Sequence, residues 1–136
     1  MEPKLSHTIA ATVAALFCIA CTGSPAKGKA PAATYPAVLQ GVWIGDSPEA
    51  CKQPNADDND SRMQIAARKI SGYEDWREPV SVTQISKTPQ AWKIVSQLHI
   101  NEDTIRLEEV LLLSGEDHGA LTVVNYRQSN TYYRCR

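Results

Sequence analysis

Several residue types are scarce in this chain. Its 136 residues include one Phe, two Met, three His and four Cys. A zinc centre needs three or four ligands. His7 stands beside an apolar N-terminal run, and His99 and His118 are far apart with no ligand-spaced partner. No sign of charge prevails, since 14 Lys plus Arg face 15 Asp plus Glu. That balance argues against the basic stripe of a nucleic-acid binder, and like charges do not run long enough for an acidic tail. Gly-rich phosphate loops are absent, and Ser114-Gly115 lacks the flanking glycines of a hydrolase elbow. Glu74 with Asp75, and Glu108 with Glu109, are sequence neighbours. On a strand such neighbours point to opposite faces, so neither pair converges on a substrate. The run Gln53 to Asp60 is dense in oxygen. It lacks the spaced Asp, turn Gly and closing Glu of a calcium loop and reads as a solvated loop. No catalytic residue, cofactor or metal site is expected.

Long apolar runs are also missing. The apolar N-terminal stretch Ile9 to Ala20 is twelve residues without a charge. A membrane-spanning helix takes about 18–20, so this stretch behind Lys4 reads as the apolar region of a signal peptide. Cys18-Ile19-Ala20-Cys21 resembles the lipobox of bacterial lipoproteins. The resemblance implies a signal peptide over 1–20 and a Cys21 acylated as the new N-terminus. Thr22 after it implies, by the sorting habit of that class, the periplasmic side of the outer membrane. Two or more acyl chains give stable anchoring. The alternative is an ordinary secretory signal cut near Ala20 or Ala26, leaving a soluble periplasmic or secreted protein.

Residues 21–34 contain no aromatic or large aliphatic side chain. They form a flexible linker with a root-mean-square reach of about 20 Å. Cys51 and Cys135 remain, and an oxidising compartment favours their pairing. Closing so long a loop contributes about 4–5 kcal/mol in the chain-entropy model.

The domain runs over 35–136. Turn signals recur every 8–12 residues, which predicts an all-β, antiparallel barrel or sandwich of about eight strands. A first strand is expected over Val38 to Gly45, with Trp43 on one face and Val42 and Ile44 on the other. A hairpin follows over Met63 to Ala66 and Lys69 to Trp76, with Gly72 as a bulge. Val80 to Ser86 and Trp92 to Ile100 come next; the latter alternates Trp92, Ile94, Leu98 and Ile100 against Lys93, Gln97 and His99. Thr104 to Ser114 reads as a strand, with a helix ending at Gly115 as the alternative. Ala120 to Tyr126 and Thr131 to Cys135 close the chain.

Gly41-Val42-Trp43 resembles the Gly-x-Trp of lipocalin-like barrels. The resemblance implies that Trp43 packs at a closed end of the barrel beneath an Arg of the last strand, a part that Arg134 fits through cation–π packing. Two groups combine the aromatic and Arg residues that interfaces favour. One is Tyr73, Trp76 and Arg77; the other is Arg127, Tyr132 and Tyr133 with Arg134. The expected function is therefore a lipid-anchored, non-catalytic protein-binding domain. It would be an inhibitor or immunity-type factor, or an accessory subunit of an envelope complex. The alternative is a carrier of a small apolar ligand. An eight-stranded barrel is only just wide enough inside for its own side chains or one small ligand.

Overall fold

The computed structural model describes residues 31–45, 47–52 and 59–136. The expected signal peptide, the expected lipidation site Cys21, most of the expected linker and residues 53–58 of the acidic loop lie outside those residues. Eight strands form a closed antiparallel barrel in which each strand pairs with its sequence neighbour and β8 returns to β1. They are β1 (Gly41–Ile44), β2 (Arg62–Ala66), β3 (Lys69–Ser71), β4 (Asp75–Lys87), β5 (Gln90–Ile100), β6 (Asp103–Ser114), β7 (Ala120–Val124) and β8 (Ser129–Cys135). In a meander, successive turns lie at alternate ends. The N-terminal segment and the β2–β3, β4–β5 and β6–β7 turns define one end, here the base. The β1–β2 connection and the β3–β4, β5–β6 and β7–β8 turns define the far end.

The barrel is filled by its own side chains. Trp43, Leu39, Ile70, Ile94, Leu111 and Leu121 have no exposed surface, and Met63, Ile65, Trp92 and Val123 have almost none. Each large apolar side chain moved inside contributes about 1.5–3 kcal/mol, so a barrel this narrow gains by filling.

Trp43 sits at the base, and its indole N–H donates to the Leu39 carbonyl at 2.8 Å. Arg134, its partner across the β1–β8 ladder, lies 4.2 Å from the ring centre. The same guanidinium donates to the carbonyls of Val38, Gln40 and His118. Gly41 makes room for it. With φ at +138°, a Cβ there would be strained and would meet Arg134 Nη1 at 3.2 Å. Cys51 and Cys135 form a disulfide with Cα atoms 5.2 Å apart, joining the 3-10 turn Pro48–Lys52 to the end of β8. That turn lies against β1 and β8. Tyr35 enters from the base. It is 1% exposed, its N–H donates to Ala67 O, and its hydroxyl meets buried Ser96 at 3.3 Å.

Three local expectations need correction. The first strand is shorter than expected because Pro36 opens a 3-10 turn over Ala37–Leu39. β3 ends at Ser71, so Trp76 belongs to β4; Gly72 is part of the turn, its N–H donating to Asp75 O. The bulges fall in β4 instead, where the register skips Val80 and Ile85. Both skipped residues are exposed, at 51% and 54%. Thr104 to Ser114 is strand throughout, paired with β5 without a break as far as Leu113.

Candidate functional site

The far end gathers the exposed apolar side chains. Tyr73 in the β3–β4 turn, Ile100 and Ile105 flanking the β5–β6 turn, and Val124 and Tyr126 beside the β7–β8 turn are all exposed. Among the described residues, the other large exposed hydrophobics are the two bulge residues of β4. Tyr126, at 74% exposure, stands on a turn that Asn125 holds by accepting hydrogen bonds from the backbone N–H groups of Arg127 and Gln128. Arg127 lies 5.0 Å over the Tyr126 ring.

A recess of about 520 Å³ opens between these turns. Tyr73, Glu74 and Asp75 form one wall, Tyr132 and Ile100 the others, with Met63 and Asp60 completing it. A second recess of about 510 Å³ adjoins it, sharing Asp60 and Tyr132 and otherwise lined by Gly45, Ser61 and polar residues of the β7–β8 turn and β8.

Met63 leads down to a buried ion pair. Arg77 donates through Nη2 to Met63 Sδ at 3.4 Å, and its Nη1 lies 3.2 Å from Glu109 Oε1. The Glu109 side chain is 1% exposed and that of Arg77 is 11% exposed. The contact is ionic without a directional hydrogen bond: neither Glu109 oxygen nor Arg77 Nε has a hydrogen-bond partner among the described residues. Burial pushes the Glu109 carboxyl above its ordinary range, Arg77 and then Asn125 oppose the shift, and Asp75 adds to it. Its neighbour Glu108 behaves oppositely. On the outer wall it meets Lys93 at 3.1 Å and Arg106 at 3.5 Å, and chiefly Lys93 holds its carboxyl below the usual range. One step along the strand reverses the environment because the faces alternate.

The expected partner-binding residues divide accordingly. Tyr73 and Tyr132 meet at the recess, and Arg127 stands on a turn at the same end. Trp76 lies on the outer face of β4, stacked on His99 with ring centres 3.7 Å apart, and Lys69 Nζ lies 4.6 Å over its ring. Arg77 is not a surface group: its register opposite Ile70 and Leu98 turns it inward to Glu109. Tyr133 faces outward, half-buried opposite Ile44, while Tyr132 faces inward. Arg134 leaves the second aromatic group altogether and serves the base with Trp43.

Sequence reasoning passed over Glu109, Ile100, Ile105 and Tyr126. The adjacency of Tyr126 and Arg127 was the one available signal for the last of these. The chemistry assembled at the far end is that of contact: aromatic faces, aliphatic patches and unburied carboxylates around a rigid opening. Among the described residues, no three His, Cys, Asp or Glu side chains come together to hold a metal ion. Compared with known protein families, curated proteins and solved structures, the chain matches none.

Proposed function

We propose that this protein is a non-catalytic protein-binding module of the cell envelope, an inhibitor-type factor or an accessory subunit, that docks through the far end of its barrel. On this reading Cys21 carries the lipid that holds it to the periplasmic side of the outer membrane. The supporting observation is the concentration of exposed Tyr73, Ile100, Ile105, Val124 and Tyr126 at one end of an otherwise mixed surface. Exposed apolar groups gathered beside polar ones are characteristic of interaction sites, and tyrosine supplies large contact area at low entropic cost. The filled interior weighs against a carrier, because an apolar ligand would have to displace Trp92, Leu111 or their neighbours.

The test is capture from a cell-envelope extract by the full chain with its disulfide intact, read by native mass spectrometry. A protein should co-elute at fixed stoichiometry, and Tyr126→Ala with Ile105→Ser should abolish its capture while leaving the circular dichroism spectrum unchanged. A small bound mass instead of a protein would establish the carrier reading. Capture indifferent to both substitutions would refute docking by this end.

A further inference from the structure

The turns of the far end are unevenly charged. Outside the 3-10 turn Pro48–Lys52, whose Glu49 and Lys52 offset each other, Asp60, Glu74, Asp75, Glu102 and Asp103 stand on them or at their edges, against Arg62 and Arg127 among the described residues. None of the five acids makes an ion pair among the described residues. Arg127 is turned onto Tyr126. The acids are spread along three turns and do not converge as a metal-ligand set among the described residues, which suits an extended partner better than a single ion.

The recess adds a shape to this charge. Its walls of Tyr73, Tyr132, Ile100 and Met63 suit the aliphatic stem of a long side chain. Glu74 and Asp75 at its edge suit a cationic head, and two tyrosines line the same recess. Behind Met63 the Glu109 carboxylate is almost wholly buried, and neither oxygen accepts a hydrogen bond among the described residues. That carboxylate faces Arg77 at 3.2 Å, so the layer beneath the recess is already charge-paired and the acids at the recess edge are the ones open to a partner.

We propose that the far end receives a basic segment of a partner protein, with one Lys or Arg side chain entering the recess between Tyr73 and Tyr132. The inference rests on the protein-binding reading and names the chemistry of the partner. Electrostatic complementarity of this kind chiefly sets the association rate and excludes wrong partners, and salt weakens it.

The experiment uses the full chain in mild non-ionic detergent, with the disulfide intact, at low ionic strength. Labelled acetyl-(Gly-Arg)3-amide, its Lys counterpart and its Glu counterpart are titrated by fluorescence anisotropy. The basic peptides should bind and the acidic one should not. Glu74→Gln combined with Asp75→Asn should weaken binding about three- to tenfold, as expected for partly exposed charge pairs. A spin-labelled basic peptide should broaden the amide signals of Tyr73 and Ile100. Glu74→Gln alone, with the salt dependence, serves if the double variant does not fold.

Equal binding of all three peptides, no binding, or broadening centred on the base would overturn the inference. Capture of an envelope protein whose contacting segment is neutral or acidic would also overturn it, while leaving the protein-binding reading intact. Binding of the basic peptides at this end with no protein captured would do the reverse.

Discussion

The Arg77–Glu109 pair invites a double-mutant cycle. Glu109→Gln removes the charge partner of a guanidinium that is 11% exposed and whose other described contact is the weak acceptor Met63 Sδ. Breaking a buried ion pair from one side costs about 3–5 kcal/mol because the remaining charge is stranded. Arg77→Met strands the carboxylate instead. Glu109 escapes part of that cost by taking a proton, since burial already raises its pKa. Replacing both, as Arg77→Met with Glu109→Leu, removes the desolvation cost together with the attraction; such replacements are neutral or stabilise by about 1–4 kcal/mol. The single substitutions should therefore be strongly non-additive. Equilibrium urea unfolding at neutral pH, with the disulfide kept oxidised, measures all four corners. A pH series on Arg77→Met adds the sign. A carboxyl whose folded pKa is raised imposes no penalty below its unfolded pKa. Stability falls as pH rises through the window between the two values, so Arg77→Met should lose stability with rising pH more steeply than the parent. Single substitutions that cost under about 1 kcal/mol and simply add would mean that water reaches the pair, and the account of a dry layer beneath the recess would fail.

Three further outcomes are expected. Arg134→Ala should destabilise by about 2–4 kcal/mol, because it removes donors to three backbone carbonyls and the cation over Trp43; a loss below 0.5 kcal/mol, roughly the level of an ordinary surface change, would contradict the closure of the base described above. Replacing Cys51 and Cys135 together by Ala should cost up to about 4–5 kcal/mol, given a separation of 84 residues, and in the unreduced parent Cys51 and Cys135 should both resist alkylation. Cys21→Ser should move the protein from the membrane fraction to the soluble fraction of cells; unchanged membrane association would refute lipidation at that residue.

The barrel was legible where alternation and turn chemistry agreed. Trp92, Ile94 and Leu98 of β5 point inward as read. The Gly-x-Trp motif and Arg134 were readable because glycine, indole and guanidinium each have few substitutes in that geometry. The site was harder to see. Tyr73 to Glu78 mixes rings with both charges, and composition alone made Arg77 a surface residue; only the register opposite Ile70 and Leu98 turns it inward. Glu108 and Glu109 are chemically identical, so which one is buried depends on the phase of β6. The β3–β4 turn at Gly72 to Glu74 contains no Pro or Asn-Gly pair, which is why Trp76 was assigned to the preceding strand. The two bulges of β4 have no glycine to announce them.

Tyr35 bears on how the domain carries a mechanical load. A pull transmitted along the chain from residues before Pro31 meets Tyr35 first, where a ring wedged against Ser96 and a backbone bond to Ala67 resist extraction. If that wedge yields, the load passes to the carbonyls of Val38 and Gln40, both gripped by Arg134 of the final strand. Beyond β1 the Cys51–Cys135 bridge returns the force covalently to that same strand. The first and last strands are thus fastened on both sides of β1, so tension arriving from the N-terminal side would be borne at the base, leaving the proposed docking surface at the other end undistorted.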